Sequence, residues 1–192
     1  MGQLTKVKKL EDNMRRKSPL KRGLKVTNED DTYENYSKIT SRIYLGNIDT
    51  AKNKKFFKDK KIKAVLNCTK DIKNYFCDNS KIEYMRIPID DSLKEVDFRK
   101  MYDLLPVIVE FIYKHADLQK QNIYIHCMQG KARSCTAVVA YLMSKKKLNV
   151  TRACEYVMSK RPEAFFYGTS VNFSAPLVKY QEKLDKARKI KN

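Results

Sequence analysis

The sequence predicts an α/β layer fold, and three observations predict it. Short apolar runs rich in β-branched and aromatic residues, IYLGN (43–47), AVLNCT (64–69), IEYMRIPI (82–89) and NIYIHC (122–127), have the length and composition of strands. Between them lie stretches whose apolar residues recur at helical spacing. At 192 residues, 42% of them hydrophobic, the chain can bury one core and is too short for two substantial ones. Strands alternating with helices place ligand chemistry at the carboxyl ends of the strands.

Residues 1–36 read as a basic N-terminal arm. Nine cations precede Val26 against Glu11 and Asp12, and the sign reverses in NEDDTYE, 28–34. Leu4, Val7, Leu10 and Met14 recur at near-helical spacing. The arm is therefore either a short amphipathic helix or a mobile, solvated segment. A domain over 37–184 and a basic end over 185–192 complete the expected organisation. Within the domain, IYLGN is a strand closed by a Gly turn, and AKNKKFFKDKKIK (51–63) is a Lys-rich helix that buries Phe56 and Phe57. Two strands follow, then a helix from Val96 to about His115 that Pro106 should start or kink. NIYIHC leads through a Gly-containing turn into a helix over AVVAYLMSKKK. NVTRACEYVMSK and LVKYQEKLDKARKIK supply the last two helices.

Composition narrows the function classes. With 41 Lys and Arg against 22 Asp and Glu, the net charge is +19, which favours anionic partners without choosing among them. No apolar run approaches the roughly 18 residues of a membrane span. The start, MGQLTKVKKL, lacks the apolar stretch of a secretory signal. Gly2 is not expected to be myristoylated, because Lys6 stands where that motif wants Ser or Thr. Five cysteines with no CxxC pair, and only two histidines, give no basis for a metal centre, a disulfide framework or a cofactor. The expected compartment is the cytoplasm or the nucleus. Cys127 aside, the cysteines read as buried small hydrophobes, with an oxidative Cys127–Cys68 or Cys127–Cys135 disulfide as the alternative.

The most informative segment is His126-Cys127-Met128-Gln129-Gly130-Lys131-Ala132-Arg133-Ser134. Cys-x5-Arg alone is weak, since a chain of this composition supplies about 0.26 such matches by chance. Here the Cys ends a buried-strand pattern, Gly130 permits a tight turn, and Arg133 opens an apolar helix. Backbone N–H groups of such a loop can converge on a tetrahedral anion at a helix N-terminus. The same field favours a Cys127 thiolate. Arg133 can fork two donors onto phosphate oxygens.

HCxxGxxRS after a strand, followed by AYLM, resembles the dual-specificity branch of the cysteine-based protein tyrosine phosphatases. KITSRIYLGN, VLNCT, RIPIDDS and FSAPLVKYQ resemble further stretches of that family, over residues 37–184. IYLGN, the double Asp after Ile-Pro and AYLMSK are most similar to the small poxvirus-type members. The resemblance implies a compact phosphatase fold, a central mixed sheet flanked by helices, with the Cys-x5-Arg loop between strand and helix. It implies a protein phosphatase acting on phosphotyrosine and phosphoserine/threonine. Cys127 would be the nucleophile, with Arg133 and the N–H groups of Met128, Gln129, Gly130, Lys131 and Ala132 holding the phosphate. Ser134 would assist departure of the sulfur, and His126 would support the loop. The general acid falls three residues after Pro88, at Asp91, with Asp90 second and Asp97 third. Asp91 lies 36 positions before Cys127, more than is usual in the family, which points to an insertion in SLKEVDFRK.

Two features depart from the common pattern. Lys131-Ala132 replaces a small apolar residue and Ser, which leaves a phosphoinositide substrate open. Thr169-Ser170 stands where Pro-Asn is usual. An RNA 5′-phosphate substrate is disfavoured, because those relatives carry Asn-Arg-Thr at Ala132-Arg133-Ser134. A catalytically inactive phosphate-binding scaffold is the remaining alternative. The expected partner is a phosphoprotein substrate. Lys21-Arg22-x-Leu24-x-Val26 fits a kinase-docking pattern, and the resemblance implies a homodimer through the N-terminal helix.

Overall fold

Strands β2 (Ile43–Gly46), β3 (Ile62–Asn67) and β5 (Asn122–His126) are buried at nearly every position, the pattern of strands covered on both faces. Strands β1 (Tyr36–Lys38) and β4 (Glu83–Arg86) are partly exposed and form the edges. The sheet order is β1-β2-β5-β3-β4, with β1 antiparallel to β2 and every other pair parallel. This computed structural model describes residues 2–17, 35–92, 94–165 and 173–190. The kinase-docking pattern at 21–26 and Thr169-Ser170 lie outside them.

Alternation along the strands divides the core in two. Ile43, Leu45, Leu66, Ile123 and Ile125 point to one face, where α4 (Glu95–Tyr113), α5 (Arg133–Lys145), α6 (Val150–Lys160) and α7 (Ser174–Ile190) cover them. Tyr44, Val65 and Tyr124 point to the other, against Phe56 and Phe57. Helix α5 is buried along most of its length, and its N-terminus lies directly beyond the end of β5. That geometry presents one strand end and one helix start to a common point.

The α/β class and the mixed sheet are as expected from the sequence; several boundaries are not. The run 51–63 is not one helix. Asn53 caps its own helix by accepting the Phe56 N–H, which separates α2 (Ile48–Ala51) from α3 (Lys54–Asp59). Lys61 at φ 49° then turns the chain into β3, so Ile62 and Lys63 are strand. The run 82–89 is regular only over β4, although Ile87 still donates to Asn67 O at 2.8 Å. Helix α4 continues through Pro106, because Met101, Leu105, Ile108, Val109 and Ile112 bury one continuous face. A π-helical turn, Lys114–Leu118, follows it. Strand β1, three residues long, carries too little pattern to be read in advance. Cys68, Cys135 and Cys154 are buried as expected, but Cys77 is exposed.

Helix α1 (Gln3–Lys17) packs on α6 and α7. Leu10 and Met14 are buried there, Ser174 Oγ donates to Glu11 Oε1 at 2.6 Å, and Lys6 pairs with Glu182 at 2.6 Å. Half of the apolar stripe behind the homodimer expectation is therefore buried within the same chain. Leu4 of that stripe is 86% exposed. Leu10→Ala should lower unfolding free energy by about 2–3 kcal/mol, through lost burial and a residual cavity. Leu4→Ala should leave it unchanged within error, and urea titration of the full chain distinguishes the two.

Candidate active site

Cys127 is the first residue past β5, in the middle of the sheet, and the chain turns from it into α5 within six residues. The turn needs Gly130, at φ +68°, where a Cβ would stand 2.4 Å from Gly46 O and 2.9 Å from an Arg161 nitrogen. A cleft of about 560 Å³ opens over the loop, walled on its other sides by residues 69–72 and by Asp90 and Asp91. The 69–72 wall is tied down by buried Asn67, which donates to Ile72 O at 2.8 Å and accepts from Thr69 Oγ1 at 2.6 Å.

The loop is held from behind through its carbonyls. Met128 O accepts the Ile48 N–H at 3.1 Å, and Lys131 O accepts the Phe165 N–H at 2.8 Å. Between them, Gln129 O accepts Arg161 Nη2 at 3.3 Å, and Gly130 O accepts Arg161 Nε at 2.6 Å. In a planar trans peptide the N–H points opposite its C=O. Four outward carbonyls therefore turn the N–H groups of Gln129, Gly130, Lys131 and Ala132 inward. The Gly130 N–H accordingly reaches Cys127 Sγ at 3.2 Å.

Cys127 is 2% exposed. Burial by itself would raise its pKa. The Arg133 guanidinium, the Ser134 hydroxyl at 3.2 Å, and the N–H groups of Ser134 and Gly130 outweigh burial, and the net shift is downward. Cys68 and Cys135, buried nearby, are pushed up instead, because desolvation outweighs the opposing charge of Arg133 on Cys68 and of Arg161 on Cys135. Of these three thiols, Cys127 alone has an environment that favours the thiolate.

Arg133 is buried, its Nη1 donating to Ile89 O and its Nη2 paired with Asp91 Oδ2, both at 3.0 Å. Among the described residues no acceptor meets its buried Nε. Asp91 is half-exposed beside this guanidinium, and Asp90 accepts the Asp91 N–H at 2.9 Å while lining the cleft. Asp97, the third choice for an acid, is buried in the first turn of α4 and accepts from Ser92 Oγ. Its carboxylate is committed to that helix start. His126 is buried, stacks on Tyr124 and places Nδ1 3.4 Å from Cys127 O. Desolvation lowers its pKa to about 4, so it stays neutral at pH 7. Met128 is half-exposed at the rim, where Lys131 and Lys70 also line the cleft.

The sequence brings Cys127 to Ser134 together by adjacency, and the fold adds Asp90 and Asp91. Ile48, Arg161 and Phe165 were missed. Two of these act through a backbone N–H, which no residue type advertises. Arg161 is one cation among many in a Lys-rich chain.

Such a pocket, a low-pKa thiol beneath a ring of N–H donors and a buried guanidinium, fits attack on a tetrahedral oxyanion. The family model described as "Dual specificity phosphatase, catalytic domain" matches residues 43–183. The chain belongs to that family. Dual specificity protein phosphatase 21 of Homo sapiens is 27% identical over 149 residues, covering 78% of this chain and 73% of that protein. Dual specificity protein phosphatase 9 of Homo sapiens is 31% identical over 143 residues, covering 72% of this chain but 36% of its relative. Among solved structures, human DUSP28(Y102H) superposes with TM-score 0.70 at 20% identity, over 79% of this chain and 97% of that one. DUSP15 does so with TM-score 0.59 at 24% identity, over 79% and 95%. These likenesses show the fold of this dual-specificity phosphatase domain. No helix among the described residues is long and apolar enough to cross a membrane.

The lowered thiol pKa has a direct readout. Alkylation of Cys127 by iodoacetamide, followed by mass spectrometry against pH, should have its midpoint below the ordinary thiol value of about 8.5. Ser134→Ala removes a donor that favours the thiolate and should move that midpoint upward, while exposed Cys77 serves as the internal reference.

Proposed function

We propose that this domain hydrolyses phosphotyrosine and phosphoserine/threonine in proteins through a phosphocysteine on Cys127. The observation that carries the reading is the donor set around one buried sulfur: the Gly130 N–H and Ser134 Oγ, each 3.2 Å from Cys127 Sγ, beneath inward N–H groups and Arg133. The Cys127 thiolate attacks phosphorus, forming a P–S bond as the P–O bond to the substrate breaks. Asp91 gives its proton to the departing oxygen. Water then attacks phosphorus, returning a proton to Asp91. The P–S bond breaks, inorganic phosphate leaves, and the Ser134 hydroxyl stabilises the departing sulfur. Throughout, Arg133 and the N–H groups bind the equatorial oxygens, with Arg133 Nε, unmet among the described residues, as one more donor.

Asp91 is favoured over Asp90 because it stands in direct contact with Arg133, on the cleft side of the guanidinium that would bind phosphate. The same pair gives the assignment a second readout. Neutralising Asp91 frees Arg133 Nη2, so Asp91→Asn should slow turnover by roughly 10²-fold or more while strengthening vanadate inhibition. Slowed turnover with weakened vanadate binding would mean that Asp91 only braces Arg133.

Turnover of an aryl phosphate, with EDTA present and thiols reduced, should be lost in Cys127→Ser. Paired phosphotyrosine and phosphothreonine peptides should both be substrates. Lys70 and Lys131 on the cleft lining make a phosphoinositide the competing substrate, and a higher kcat/KM on that lipid than on either peptide would replace the protein reading. Absence of turnover on all of them, with vanadate still bound, would leave an inactive phosphate-binding scaffold.

A further inference from the structure

Resting on that reading, we propose that Arg161 is a positioning residue for the phosphate-binding loop, holding the Gly130 and Lys131 N–H groups in their phosphate-facing orientation. Arg161 lies at the C-terminal cap of α6, is 3% exposed, and sends its side chain behind the loop rather than into the cleft. Its Nε donates to Gly130 O at 2.6 Å, its Nη2 to Gln129 O at 3.3 Å, and its Nη1 to Ser37 Oγ at 3.5 Å. One guanidinium thus fixes two consecutive peptide planes and ties them to the sheet edge.

The two planes it fixes are the ones with most freedom to turn. Gly130 lies between them at positive φ and has no side chain to restrict rotation. The flanking carbonyls, Met128 O and Lys131 O, are held by backbone N–H groups that remain whatever side chains are present. Without Arg161, Gly130 O keeps, among the described residues, only the weak Cys135 thiol donor at 3.3 Å, and Gln129 O loses its guanidinium donor. A buried carbonyl without a donor turns toward the nearest one. Either plane rotating by a half turn would aim a carbonyl oxygen at the substrate phosphate and remove an N–H from it. The Gly130 N–H would also leave Cys127 Sγ, and the thiolate would lose one of its donors.

Arg161 provides two features that Lys cannot reproduce together: a planar fork reaching both carbonyls, and a third donor to β1. Arg161→Lys keeps the charge and the aliphatic stem, so it should preserve the fold while serving one carbonyl at a time. Arg161→Met removes every donor.

The test uses the full chain and reads the loop independently of turnover. Wild type, Arg161→Lys and Arg161→Met are compared for Cys127 alkylation against pH, for protection from alkylation by inorganic phosphate, and for melting temperature. Losing correctly aimed oxyanion donors costs on the order of 10²-fold in kcat. Arg161→Met should show a loss of that order, a weaker phosphate protection constant and a raised alkylation midpoint. Arg161→Lys should fall between it and wild type at a melting temperature near that of wild type. If Arg161→Lys matches wild type in protection and midpoint while Arg161→Met fails to fold, Arg161 is a packing residue and the proposal is overturned. If both variants fold and match wild type, it is overturned as well. Failure of the phosphatase reading would appear separately, as wild-type protein that phosphate protects but that turns nothing over.

Discussion

A sulfur two per cent exposed to solvent, set among groups that favour its thiolate, is the constraint on which this molecule is organised. Taking a thiolate out of water carries a large desolvation penalty, and only fixed donors of matching polarity can replace the lost hydration. At Cys127 those donors are a guanidinium, a hydroxyl and backbone N–H groups, and they outweigh the burial that opposes them. Backbone N–H groups are well suited to the task because they bring polarity without a side chain. They bring an obligation too, since each carries a carbonyl on its far side that must itself be satisfied. The cradle in front of the loop therefore requires a second set of partners behind it.

The sheet topology supplies both sets. The central strand β5 delivers Cys127 to the carboxyl edge and flows directly into the start of α5, which contributes Arg133 and Ser134. Its neighbour β2 ends at Gly46, close enough to Gly130 that no Cβ fits between them, and the next turn offers the Ile48 N–H to Met128 O. The C-terminal end of α6 supplies Arg161, and Phe165 supplies the last N–H. Segments separated by more than a hundred residues therefore meet behind six residues of loop. The aromatic core on the opposite face of the sheet serves the same end, as the Tyr124 hydroxyl donates to Asn47 O at 2.6 Å and its ring stacks on His126.

This division explains what was legible in the sequence. The front of the site is contiguous: Cys127 through Ser134 follow one another, and strand, turn and helix each leave a local signal. The Asp at 91 was reachable through family resemblance, and the fold sets it against Arg133 with Asp90 on the cleft wall. Asp97 shows the opposite case, a carboxylate close in sequence whose geometry is spent on Ser92 and the start of α4. The back of the site left no signal because its partners are chosen by tertiary placement. An N–H at Ile48 or Phe165 is the same group at any residue but proline. The Lys-rich run at 51–63 misled for a related reason: helical spacing persists across Asn53, but a side-chain cap at that residue divides the helix in two.

The Asp91–Arg133 pair places a further requirement on the cycle. The guanidinium that should meet a phosphate dianion is already engaged, at 3.0 Å, by a carboxylate half-exposed at the cleft. Two anions cannot share that face of Arg133 without repulsion, so an arriving phosphate competes with Asp91 for Nη2. Lys70 and Lys131 line the same cleft and offset Asp71 and Asp90, so the net charge of +19 is not concentrated at the reacting centre. The excess acts at longer range, on encounter and not on chemistry, and salt within a Debye length of about 10 Å at 0.1 M removes it first.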